Sequence, residues 1–138
     1  MTKNEETVKN DMFGFGDKNV AFAKYFFGTS YLNGLVSPDD NIDINVSNVN
    51  FEPGCRNDWH IHHDGFQILL VTAGEGWYQE EGKSARKLHP GDVVAIHEGV
   101  KHWHGATKDF WFSHIAITKG TSEWLEKVDD SYYEQLAD

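Results

Sequence analysis

The stretch WHIHHDGFQ puts three histidines, His60, His62 and His63, within four positions. A second group, KHWHG, sets His102 and His104 on either side of Trp103, and His114 follows in FWFSHIAI. In a strand, residues i and i+2 share a face about 7 Å apart, so His60 and His62 project together and His63 points away. Two such imidazoles can converge on one metal ion at about 2.0–2.1 Å. One His-x-His is common and usually means nothing. Two of them, one before a core strand and one after a glycine-rich turn, point to a metal centre. Gln67 lies just past Asp64–Gly65, read as a turn, and shares a face with Leu69 and Val71. His114 shares a face with Phe112 and Ala116 and should therefore look inward, whereas Trp111 should look the other way. His63, His89 and His97 read as turn or surface residues, and Cys55 as structural.

The elements that would position these groups are short strands. AKYFFGTSYLNGLV (23 to 36) reads as strand, and IDINVSNVNF (42 to 51) alternates with a change of parity that places a bulge near Ser47. Further strands are expected at 57–63, 66–73, 75–80, 85–88, 92–96, 101–106 and 110–118, punctuated by DG, AGEG, EEGK, HPGD and HEG. That pattern predicts an all-β sandwich or barrel over residues 21–120. Residues 1–20 read as a loose polar arm. Residues 121–138 read as a tail with a short helix, capped by Thr121 or Ser122, with Trp124, Leu125 and Val128 at helical spacing.

The chain has 138 residues, enough for one domain with a real core. Its formal net charge of −10 disfavours phosphate backbones, so no nucleic-acid partner is expected. No apolar run is long enough to span a membrane. With a single cysteine and a polar N-terminus, the cytoplasm is the expected compartment.

The histidine spacing resembles the two motifs of the cupin superfamily. Gly54, His60, His62, Gln67 and Gly74 match the first, with glutamine where glutamate is usual. Gly91, His97, Gly99, His102 and Ala106 match the second, with His97 in the proline place and Ala106 in the asparagine place. The resemblance covers about residues 45 to 118 and implies a double-stranded β-helix, a jelly-roll barrel, with a metal inside. NVNFEPGCRNDWHIHH, QILLVTAGEGWYQEEGK, HPGDVV and GVKHWHGA are more closely similar to two groups. One is the small cupins found with carboxymuconolactone-decarboxylase-like domains. The other is the bacterial cupin hydroxynitrile lyases, in which three histidines and a glutamine hold manganese or iron. The resemblance assigns metal ligation to His60, His62, Gln67 and His102, and matches His114 and Arg56 to a pocket histidine and an arginine of the lyases; beside such a metal, His104 and His114 would be second-layer or acid/base groups, so His114, His104 and Arg56 are the catalytic candidates. One more residue separates His62 from Gln67 here than in the lyases.

A neutral glutamine would leave the full +2 charge on the ion, with about two coordination positions open for substrate. Imidazole suits several metals, so manganese or iron is expected with zinc or nickel as alternatives. Trp103 and Phe112 would wall a small pocket. The expected function is a metal-dependent lyase or isomerase on a small molecule. The alternatives are an Fe(II) dioxygenase and a non-catalytic ligand-binding domain. The resemblance also implies a homodimer paired through open sheet edges, with the polar N-terminal segment able to cross to the partner.

Overall fold

A computed structural model describes residues 4–136. The strands, each with its bounds, are β1 (Asp17–Lys18), β2 (Phe26–Phe27), β3 (Ser30–Val36), β4 (Asn45–Phe51), β5 (Arg56–Asn57), β6 (His60–Gly74), β7 (Gly76–Glu80), β8 (Arg86–Leu88), β9 (Val93–Ile96), β10 (His102–Ala106) and β11 (Phe112–Trp124). Short helices flank them, α1 (Glu5–Lys9) and α2 (Asp130–Gln135). Pairing is antiparallel throughout, in the order β1-β3-β4-β11-β6-β10-β5-β2, with β7 beside β10 and β8, and β9 beside β6. The sheet curls into an all-β jelly-roll barrel with a small C-terminal helix. No described helix is long and apolar enough to cross a membrane.

Alternation divides each long strand between two surfaces. Inside the barrel, Phe51, Leu69, Val71, Leu88, Ile96 and Phe112 form the main core. Outside, Trp77, Trp103, Val128 and Tyr133 pack under α2, and Val8, Ala73 and Trp111 pack under α1. Trp111 thus faces outward as its parity predicts. Trp103 is also on the outer side, its indole N–H donating to Gln79 at 2.8 Å, so it does not wall the pocket.

Asp64–Gly65 is not a turn. Strand β6 runs straight through it, pairing with β11 on both sides. Two residues, Asp64 and Gly65, oppose the single Gly120 between the pairs His63–Thr121 and Phe66–Lys119, which is a β-bulge. Asp64 takes φ 58° and Gly120 φ 94° to make it. A Cβ on Gly65 would lie 2.0 Å from the Lys119 carbonyl oxygen, and one on Gly120 would lie 2.2 Å from that of His63. The extra residue resets the parity of β6. His60 and His62 face inward on even numbers before it, and Gln67, Leu69 and Val71 face inward on odd numbers after it. The bulge is what lets His62 and Gln67 share the inner face although four residues separate them.

Other expectations are corrected in the same way. The irregularity near Ser47 belongs to β3, between Gly34 and Val36, while β4 keeps unbroken register with β11. Thr121, Ser122 and Trp124 lie in β11, and the helix starts only at Asp130, capped by the Asp129 side chain, which accepts from the Tyr132 N–H at 3.0 Å. The N-terminal segment is not loose: α1 buries Val8 completely and β1 pairs with β3. Residues 1–3 of that arm and 137–138 of the tail lie outside the described residues.

Candidate metal centre

His60 and His102 are cross-strand partners on β6 and β10, and His62 stands two residues along β6. One ring nitrogen from each lies within 4.8 Å of the others, and all three rings are buried. His60 Nδ1–H donates to the Asp58 carbonyl at 2.8 Å, and His102 Nδ1–H donates to the Val100 carbonyl at 2.9 Å. Both bonds fix the tautomer and leave Nε2 as a lone pair, the second contact expected of a ligating histidine. His102 Nε2 is buried without a hydrogen-bond partner among the described residues. An orphaned acceptor facing two further imidazoles is costly unless a cation completes it, so these residues fit a metal ion.

His62 differs. Its Nε2 lies 3.1 Å from Gln67 Oε1, which can only accept, so this nitrogen carries the proton. Its Nδ1 accepts from the Ser122 hydroxyl at 3.2 Å. A hydroxyl can accept as readily as donate, so Ser122 allows the proton to move to Nδ1 when Nε2 is needed for a metal. Gln67 is brought to the same place by the bulge, and its amide N–H donates to Thr118 Oγ1 at 3.0 Å.

Desolvation makes all these rings poor bases. Burial, reinforced by His102, holds His60 well below the ordinary histidine range, and burial alone accounts for most of the drop at His62. His102 falls to about 4 for the same reason. Each ring is therefore neutral near pH 7, the state a metal requires.

Beside the triad lies a second histidine pair. His104 Nδ1 and His114 Nε2 are 3.2 Å apart, and both rings are buried. Asn57 orients them. Its Oδ1 accepts the His104 backbone N–H at 2.9 Å, which turns its amide N–H toward His104 Nε2 at 3.2 Å. The same amide nitrogen lies 3.4 Å from His104 Nδ1, and His104 Nδ1 and His114 Nε2 share one proton between them. Burial lowers His114 to about 3 and His104 well below its usual range, with His114 adding to the latter.

The cavity that joins both groups has a volume of about 310 Å³, the lower end for a small-molecule site. His60, His62, Gln67, His104 and His114 line it, and among the described residues no Asp, Glu, Lys or Arg does. Its apolar wall is Phe22, Phe26, Leu32, Val49, Phe51 and Trp124, the last stacked on His60 at 4.5 Å. Phe112 backs His114 from the core at 5.4 Å.

Arg56 is elsewhere. Its guanidinium lies 4.1 Å from both the Phe27 and Tyr133 rings and pairs with Asp130, so it clamps α2 and does not reach the cavity. His63 turns outward to Glu123 at 2.6 Å, His89 faces Glu75, and His97 is exposed. Sequence reasoning missed Asn57, Thr118, Ser122 and Trp124 as parts of the site. For the last three the signal is register: Thr118, Ser122 and Trp124 lie on β11 directly opposite Gln67, His62 and His60 of β6.

Comparison with known proteins identifies the family of this fold. Residues 47–113 match the Cupin domain family. An (R)-mandelonitrile lyase from Granulicella tundricola is 42% identical over 115 residues, spanning 80% of this chain and 87% of that one. An acireductone dioxygenase from Bacillus cytotoxicus is 28% identical over 68 residues, 46% of this chain and 40% of that one. A cupin-like protein from Thermotoga maritima superposes with a TM-score of 0.83 at 42% identity, over 91% of this chain and 96% of that one. From the motif spacing, the barrel and these relatives together, the chain belongs to the cupin family.

Proposed function

We propose that this cupin is a metal-dependent lyase that cleaves a small cyanohydrin into a carbonyl compound and hydrogen cyanide. The observation that carries this reading is the buried, neutral His104–His114 pair sharing one uncharged cavity with Gln67 and with His60 and His62 of the histidine triad. The 42% identity to an (R)-mandelonitrile lyase supports it.

His60, His62, His102 and Gln67 would hold the ion, of which manganese and iron are the first candidates. A divalent cation bound there supplies Lewis acidity and makes a nearby hydroxyl more acidic. The chain's own groups do the rest. The histidine pair takes the hydroxyl proton on an imidazole nitrogen. The electrons of the O–H bond become the carbonyl π bond, and the carbon–carbon bond breaks with its electrons on cyanide. The imidazolium then returns its proton to cyanide, releasing hydrogen cyanide. Burial makes that imidazolium a strong acid, which favours the return. The aromatic wall of Phe26, Phe51 and Trp124 holds the substrate's apolar side and excludes water.

The test is elemental analysis of protein purified without an affinity column, followed by mandelonitrile cleavage with His102→Ala and His114→Ala as controls. Stoichiometric metal with cleavage abolished in both variants is expected. Tightly bound metal with product formed only at the buffer rate defeats the lyase reading. The dioxygenase similarity favours a second reading, Fe(II)-dependent oxygen chemistry on the same scaffold. It predicts oxygen uptake with a diketone or thiol substrate.

A further inference from the structure

Three residues of β6 face the centre, and each meets its own cross-strand neighbour on β11: His60 meets Trp124, His62 meets Ser122 and Gln67 meets Thr118. The first two contacts support a ring. The third does something more specific, because an amide has two unlike ends. Oε1 can bind a cation and the NH₂ group cannot, and a half-turn of the amide exchanges them. A carboxylate at the same position would present an acceptor oxygen in either orientation. A glutamine ligand therefore needs a partner for its N–H groups, and Thr118 Oγ1 is that partner at 3.0 Å, on the side of the amide away from His62.

We propose that Thr118 is a positioning residue that locks the Gln67 amide with its oxygen toward the metal, and so makes a neutral glutamine serviceable as a ligand. This rests on the reading of His60, His62, His102 and Gln67 as a metal centre. It does not depend on which reaction follows. The bulge is what makes the lock possible. It brings Gln67 to the inner face opposite Thr118, where unbroken alternation from His62 would have put Phe66.

The experiment is a double-mutant cycle on metal affinity. Dissociation constants for Mn(II), Fe(II) and Zn(II) are measured by competition with a chromophoric chelator. The proteins are wild type, Thr118→Val, Thr118→Ser, Gln67→Glu and Gln67→Glu/Thr118→Val, each checked for folding by circular dichroism. Thr118→Val keeps the shape and removes the hydroxyl. It should weaken metal binding by about 10- to 100-fold, the usual effect of losing a residue that orients a ligand. Thr118→Ser should restore affinity to within about threefold of wild type, by the same reasoning. In the Gln67→Glu background, Thr118→Val should cost less than about threefold, because either carboxylate oxygen can face the ion.

Equal loss in both backgrounds overturns the proposal, since Thr118 would then act through packing. No loss in either background overturns it as well. If wild type binds none of the three metals, this proposal and the metal reading fall together. If the coupling is found but mandelonitrile is not cleaved, the lyase reading falls and the lock stands.

Discussion

Removing the metal should leave a protein whose stability collapses in mild acid. The metal-free chain buries five histidines whose pKa values lie below the usual range: His60, His62, His102, His104 and His114. In the unfolded chain each would titrate near 6.5. Below that pH the unfolded state takes up protons that the folded state refuses, so folding stability falls as the pH falls. Stability is complete above about pH 6.5 and is lost down to the folded values, about 4 for His102 and about 3 for His114. At pH 5 each fully depressed group costs about 2 kcal/mol, from 1.36 kcal/mol per pH unit. His102 and His114 alone then remove about 4 kcal/mol, and the other three add to it. A domain of this size has roughly 5–15 kcal/mol in total. The assay is urea denaturation of chelator-treated protein from pH 8 to pH 4.5, with proton uptake on unfolding taken from the slope. Uptake should rise from near zero at pH 7.5 to at least two protons at pH 5. Stability that stays flat between pH 7 and pH 5 would refute the argument that these rings are held neutral by burial.

Further outcomes follow from the same geometry. Arg56→Ala should lower stability by roughly 2 kcal/mol through lost contacts with Phe27, Tyr133 and Asp130, while metal content measured by elemental analysis stays at wild type. Arg56→Lys should not restore the melting temperature, because an ammonium cannot stack flat between two rings. Gly120→Ala should destabilise by about 3 kcal/mol or more, since its φ is +94° and the new Cβ would meet the His63 carbonyl oxygen. Metal occupancy should fall with it, as the bulge aims Gln67. Trp124→Ala should raise KM for an aromatic substrate more than it lowers kcat, because Trp124 lines the cavity without contributing a titratable group. An unchanged KM for mandelonitrile would remove Trp124 from the binding wall.

Much of the centre was legible because alternation is a local rule. His60 and His62 face inward for the reason that Ile61 does not, and two residues' spacing is enough to see it. The exchange of a bulge for a turn at Asp64–Gly65 was not legible, because an Asp-Gly pair suits either and only the partner strand decides. The end of β11 was misread for a related reason. TSEW has a capping residue and helical spacing, but its pairing with HIHH is long-range and outweighs local propensity. Arg56 sits beside the motif in sequence, yet its parity on β5 sends it outward to α2 while its neighbour Asn57 turns inward. Asn57 carries no motif signal at all, and only the contact with His104 reveals it.

The bulge also has a bearing on how the chain is held together. One strand supplies His60, His62 and Gln67, while His102 arrives from β10 after an intervening hairpin and a further strand. An ion shared by them is a cross-link that closes a loop of roughly 40 residues, and clips that close long loops remove the most freedom from the unfolded chain. The unfolded chain offers only neighbouring histidines, so a bound metal would stabilise the fold by its preference for the assembled set. An ion held by this set would then also be a staple between β6 and β10, and the barrel's rigidity there would scale with how fully the site is loaded.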